Sequence, residues 1–166
     1  MKLIHWLFLF SVFTLTGCFD GASGGSSSLV ALPAVYFQCD ISQNNDCDPV
    51  SNPTLKVYVG WHGHASADCE SVFLQLESLF IMDDVFSAWG TTTSFSPSSS
   101  VLIGEIGPTE WQSEGQDIGF LPNDTYTLCA FVDTDNNNRY SYPEPVGTLT
   151  GVSPQSQSLE ITNWSN

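Results

Sequence analysis

The chain has 166 residues, the length of one domain with a short appendage, and only 3 lysines and arginines stand against 18 aspartates and glutamates, for a formal net charge of −15. So acidic a surface argues against nucleic acid or anionic lipid as partners, since cationic side chains must neutralise their phosphates; it suits metal cations, glycans or other proteins. Serine, threonine, glycine and aromatic residues outnumber the good helix formers, which favours strands and turns.

Residues 1–17 have the layout of an export signal: Lys2, the apolar run LIHWLFLFSVF, then a small-residue ending. The run is shorter than the roughly 20 apolar residues that span a bilayer. Leu15-Thr16-Gly17-Cys18 resembles the lipobox of bacterial lipoproteins. That resemblance implies cleavage before Cys18, a diacylglycerol on its thiol and an acyl chain such as palmitate on its new amino group. Each buried methylene adds about 0.8 kcal/mol, so several chains together anchor stably. Phe19, rather than aspartate, follows the cysteine; by the same resemblance the outer membrane is the favoured destination within the cell envelope. Residues 18–28 then comprise the lipidated cysteine and a Gly/Ser-rich tether, with the folded domain at 29–166.

Four cysteines remain, Cys39, Cys47, Cys69 and Cys129, an even number suited to disulfides in an exported chain. Three pairings are open. The expected one clips the short segment DISQNND with Cys39–Cys47 and leaves Cys69–Cys129 as a long-range staple. A zinc site of thiols lacks any C-x-x-C spacing.

In chain order, strands are expected at 34–39 (AVYFQC), 54–61 (TLKVYVGW), 71–82 (SVFLQLESLFIM), 100–106, 117–120, 124–133 (DTYTLCAFVD), 146–152 and 158–164. In 54–61, Leu55, Val57, Val59 and Trp61 share one face, with Lys56 and Tyr58 on the other. Segment 71–82 also permits a helix, but Val72, Leu74 and Leu76 alternate and its neighbours are β, so it is assigned as a strand. Short strands joined by Gly, Pro, Asn and Ser turns predict an all-β fold: a single antiparallel β-sandwich of about seven strands. The phrase GFLPNDTYTLCAFVDTDNNNRYSYPEPVG resembles transthyretin-like and immunoglobulin-like extracellular modules of bacteria in Leu121-Pro122, Thr125-Tyr126-Thr127, the Asp-rich run after Asp133 and Glu144-Pro145-Val146-Gly147. The resemblance implies a sandwich and leaves the function open.

The segment from Asp133 onward concentrates oxygen ligands. Counting Asp133 as position 1, Asp135 is 3, Asn137 is 5, Arg139 is 7, Ser141 is 9 and Glu144 is 12. This is the spacing of an EF-hand calcium loop, with the position-7 ligand a backbone carbonyl. Asn138 replaces the usual glycine at position 6, and the preceding element is a strand. A structural calcium ion of modest affinity is the expected cofactor, with Asp and Asn as ordinary turn residues the alternative.

Other groupings carry less. His62 and His64, near Asp68 and Glu70, could hold zinc for a hydrolase, though they also suit a polar loop after a strand. Trp89, Trp111, Trp164, Phe95 and Phe120 could line a glycan face, though such residues more often pack. Asp83 and Asp84, adjacent in a turn-like stretch, should diverge. No nucleophile elbow or phosphate loop is present. The expectation is a non-enzymatic envelope lipoprotein that binds envelope proteins or glycans.

Overall fold

The computed structural model of the chain describes residues 28–76, 82–97 and 100–165. The expected export signal, Cys18 and the expected tether up to residue 27 lie outside the described residues, as does the stretch 77–81 of the expected strand 71–82.

Among the described residues thirteen strand segments and two short α-helices follow one another, with one 3-10 turn at Asn45–Cys47 after β2: β1 (Leu29–Ala31), β2 (Val35–Asp40), β3 (Lys56–His62), α1 (Cys69–Leu76), α2 (Met82–Val85), β4 (Phe86–Thr92), β5 (Phe95–Pro97), β6 (Val101–Ile106), β7 (Gln112–Ser113), β8 (Gln116–Asp117), β9 (Phe120–Pro122), β10 (Tyr126–Asp133), β11 (Val146–Val152), β12 (Leu159–Ile161) and β13 (Trp164–Ser165). One sheet runs in the order β13-β11-β10-β3-β4-β7-β8 and a second in the order β12-β2-β6-β5, while β1 and β9 form a separate ribbon. Every pairing is antiparallel except β12 with β2. The fold is an all-β sandwich, as the alternating segments predict.

The main core fills the space between the two sheets. Val57, Val59 and Trp61 of β3 and Leu128, Ala130 and Val132 of β10 meet Val35 and Phe37 of β2, Leu102 and Ile106 of β6, and Leu159 and Ile161 of β12. The expected face of β3 is the one buried here, and Tyr58 lies on the other side. That other side of the large sheet is also covered. Phe73 and Leu76 of α1, Met82 of α2 and Tyr140 pack over Tyr58, Phe86, Phe131 and Val146. Flanked on both faces, β10 is buried at all eight positions, which is why it reads as a continuous apolar run rather than an alternation.

Residues 69–76 correct the strand assignment at 71–82. Cys69, Phe73 and Leu76 recur at helical spacing and are the buried side chains of α1, while Leu74, counted into the strand face, is 41% exposed. Asp68 sits just before the helix, its carboxylate accepting from Ser71 Oγ at 2.7 Å. The Cys69–Cys129 disulfide ties this helix to β10, and Cys39–Cys47 closes the short loop after β2, as expected. The unexpected β4 carries a bulge: Trp61 pairs with Ala88 but His62 with Phe86, so Ser87 is extra and the inward side changes. Ala88 accordingly joins the main core and Phe86 the helix-covered one, and this break in alternation hides the strand from pattern reading. The expected strand 117–120 divides into β8 and β9, and 158–164 into β12 and β13.

Gly104 on β6 lies opposite Phe37 on β2, and a methyl group there would fall inside the Phe37 ring. Gly104→Ala should therefore cost about 1–3 kcal/mol through overpacking; a denaturation midpoint equal to the parent's would refute this packing.

Candidate metal centre

The loop between β10 and β11 begins where the central strand ends. Asp133 pairs with Lys56 across to β3, and its carboxylate is completely buried beneath the loop. The backbone N–H groups of Asn137 and Asn138 donate to Asp133 Oδ1 and Oδ2, at 3.2 and 2.9 Å. Asn137 also donates to Asp135, from its backbone to Oδ1 at 3.0 Å and from Nδ2 to Oδ2 at 2.8 Å. Arg139 N–H donates to Asn137 Oδ1 at 2.8 Å, and Asn137 Nδ2 to Ser141 Oγ at 2.7 Å. Glu144, 5% exposed, closes the loop: its Oε1 accepts from Thr134 N–H and its Oε2 from Ser141 N–H, each at 2.7 Å.

These bonds curl the backbone around its own side-chain oxygens. Asn136 and Asn138 take φ values of +58° and +62°. Asparagine is among the few non-glycine residues that adopt this region readily, so Asn138 makes the turn normally left to glycine. One carboxylate oxygen each from Asp133, Asp135 and Glu144 lies within 4.8 Å of the others. Two oxygens on one calcium ion, each 2.3–2.6 Å from it, are separated by at most about 5 Å, so each pair of these oxygens lies within the span of ligands that share an ion. This is the one such group of three metal-ligating side chains among the described residues.

The electrostatics are those of carboxylates crowded in a dry place. Burial, reinforced by the charge of Asp133, pushes Glu144 up to about 7 against the opposing effect of its N–H donors. Burial also raises Asp133, with Asp135 adding to the shift. A divalent cation would reverse both effects, since it favours the ionised form.

Three supporting residues escaped sequence reasoning. Lys56 Nζ and Tyr58 Oη both donate to Asn138 Oδ1, at 2.6 and 2.9 Å, and hold the turn from β3. Burial and then the Asp133 charge push the Tyr58 hydroxyl up to about 12. Tyr140 inserts its ring between Phe73 and Phe131, fixing the middle of the loop to the helix-covered core. The alternation that sets Lys56 and Tyr58 on one side of β3 was the available signal; their partner across the sheet was not.

The other candidates fare differently. His62 and His64 do lie side by side, ring centroids 5.3 Å apart, and with Asp68, Ser71 and Gln75 they line an open recess of about 490 Å³. His64 N–H donates to His62 Nδ1 at 3.2 Å, and burial followed by the neighbouring His64 lowers the His62 pKa. Among the described residues no third histidine, cysteine or carboxylate completes a ligand cluster with them. The aromatic candidates are dispersed: Trp111 is fully buried against Trp61, Trp164 packs on Phe37, Trp89 on Tyr58 across the sheet, and Phe120 is exposed. Asp83 is a structural acceptor, for Trp89 Nε1 at 2.8 Å and Glu114 N–H at 2.7 Å, while Asp84 is exposed. No helix among the described residues is long and apolar enough to cross a membrane. Compared with family models, with curated proteins and with solved structures, the chain finds no match in any of the three.

Proposed function

We propose that the chain is a lipid-anchored lipoprotein of the bacterial envelope, with the outer membrane favoured. Its β-sandwich is a non-enzymatic binding or structural module whose 133–144 loop holds a structural calcium ion. The observation that carries the calcium reading is the convergence of Asp133, Asp135 and Glu144 within 4.8 Å, two of them buried, at the end of the central strand. Burying two carboxylates beside a third is unfavourable without a compensating cation. The Asn137 side chain, the Arg139 carbonyl and Ser141 follow at the spacing that would complete the ligand set. The anchor reading rests on Leu15-Thr16-Gly17-Cys18 after an apolar run.

Two measurements test the proposal. Mass spectrometry of the exported protein should find a chain that starts at Cys18 and carries acyl groups; an unmodified chain starting elsewhere sinks the anchor. Calorimetric titration of residues 19–166, stripped with chelator, should show calcium binding with a Kd of roughly 10⁻⁴–10⁻³ M, the class of extracellular modules. The Asp133→Ala, Glu144→Ala double variant should show none. Heat absent in the parent up to about 10 mM, well past that range, makes the loop a hydrogen-bonded turn.

A further inference from the structure

The ribbon of β1 and β9 has one face that serves the core and one that faces out. Leu29 pairs with Pro122, Val30 with Leu121 and Ala31 with Phe120. Directly opposed residues point to the same side, and successive residues alternate. Val30 and Leu121 therefore turn inward, and Leu121 is buried in the main core. Leu29, Ala31, Phe120 and Pro122 turn outward. All four are exposed and all four are apolar, with Leu29 at 68% and Phe120 at 60%. An outward strand face in water is ordinarily polar. Four apolar side chains side by side on one exposed face form a small patch, and such patches are often functional.

Three observations identify its occupant. Leu29 lies eleven residues after Cys18; at 3.3–3.6 Å per residue the chain between them reaches at most about 40 Å, so the ribbon is the described element closest in sequence to an anchor at Cys18 and lies within reach of the bilayer that holds it. The ribbon also sits at one end of the central strand. Asn123 N–H donates to the Ser28 carbonyl at 2.8 Å and Tyr126 Oη to the Pro122 carbonyl at 3.1 Å, just where β10 begins. The acidic loop starts at Asp133, the opposite end of that strand, about 23 Å away at 3.3 Å per residue. Finally, the exposed Asp117 and Asp124 flank β9 in sequence, and the ribbon has no lysine or arginine. Its surroundings therefore suit a neutral or zwitterionic surface over an anionic one.

We propose that the outward face of Leu29, Ala31, Phe120 and Pro122 rests on the zwitterionic surface of the bilayer that holds the acylated Cys18, so that the 133–144 loop points away from the membrane. The proposal rests on the reading of Cys18 as lipid-bearing. A face of four residues is too small to hold a protein on a bilayer by itself. The anchor changes this by making the contact intramolecular, at an effective concentration set by the short connection.

The test uses the full chain, exported and processed by its own signal, then reconstituted in phosphatidylcholine vesicles. Ala31→Cys carries an environment-sensitive fluorophore, and Arg139→Cys in the acidic loop carries the same dye as a control. The dye at 31 should shift to the blue and lose most of its emission to nitroxide-labelled lipid, while the dye at 139 keeps both its colour and its emission. Adding Leu29→Ser and Phe120→Ser should return the dye at 31 to a water-like spectrum while the protein still floats with the vesicles. An unquenched dye at 31 on vesicle-bound protein overturns the proposal and leaves the anchor standing. A blue shift that grows with protein concentration and resists the lipid quencher assigns the face to a second copy of the chain, which also overturns it. Protein that lacks acyl mass on Cys18 and stays off the vesicles refutes the anchor itself, and the proposal falls with it.

Discussion

Replacing Cys69 and Cys129 together by alanine should lower the stability of the domain by about 4 kcal/mol. The bridge joins residues separated by 60 positions, whereas Cys39–Cys47 spans 8. Loop-closure entropy grows with the logarithm of loop length, so removing the short clip should cost only about 2.5 kcal/mol. The long bridge also fastens α1, part of the cover of the second core, onto the middle of β10. Out of a total of about 5–15 kcal/mol, the loss is large, and the thermal midpoint should fall by roughly 12–16 °C. Denaturant unfolding of the two double-alanine variants beside the parent gives both numbers. If the 39/47 variant is the less stable of the two, the ranking by loop length is wrong and local packing around Cys47 matters more.

The second large effect concerns pH and calcium together. In chelator-treated protein, stability should decline as pH rises from about 4.5 to about 7. The sign follows from proton counting. Glu144 has an ordinary value of 4.5 and is pushed up to about 7 in the folded protein, first by burial. Between those values the folded state binds more protons than the unfolded state, so raising pH favours unfolding. The stabilisation is complete below the unfolded value and is lost as pH passes through the folded one. Its size is on the order of 2 kcal/mol after allowance for solvent screening. Asp133 shifts in the same direction. Asp40 and Asp48 shift down, chiefly through hydrogen bonds from Ser42 and Ser51, so their effect belongs to pH values below 3.8 and does not overlap. In the proposed calcium-bound form the ion would take the place of the protons, so its stabilising effect should be greatest above pH 7. At 10 mM ion and a Kd of 10⁻⁴–10⁻³ M it amounts to roughly 1.4–2.7 kcal/mol. Thermal melts across pH, with and without calcium, should show both trends in the parent and neither in Asp133→Ala, Glu144→Ala. That variant also controls for general repulsion within a chain of net charge −15. A flat profile in chelator would refute the desolvation of Glu144. A sloping profile that ignores calcium would leave a buried acidic cluster with no ion.

Much of this was legible in the residues themselves. The two-residue period of 54–61 exposes which face of β3 is buried, because one side packs on the opposite sheet and the other carries Lys56 and Tyr58. The burial of both sides of β10 is written as an unbroken apolar run. The concentration of oxygen-bearing side chains from Asp133 to Glu144 is likewise local, and three of its carboxylates do converge. Even the turn at Asn138 was legible, because a tolerance for positive φ belongs to the residue.

Other features were decided only when distant segments met. Residues 69–76 alternate well enough to resemble a strand, but Cys129 and the bare second face of the large sheet draw Cys69, Phe73 and Leu76 together at helical spacing. In β4 the pattern is broken by a bulge whose position is set by its partner β3. The acidic loop shows the same division. Its acidic residues are read from the sequence, whereas its support comes from Lys56, Tyr58 and Tyr140 reaching it from the neighbouring strand and the helix-covered core. By itself, the sequence determined strand faces, cysteine number and the spacing of the acidic residues in the loop, which depend on a few adjacent residues. The cysteine pairing was expected from loop lengths and the structure bears it out, whereas the tertiary structure alone decided which second face is covered and how deeply Asp133 and Glu144 are buried. Burial and pairing depend on what is brought alongside, and a chain's local pattern does not contain its neighbours.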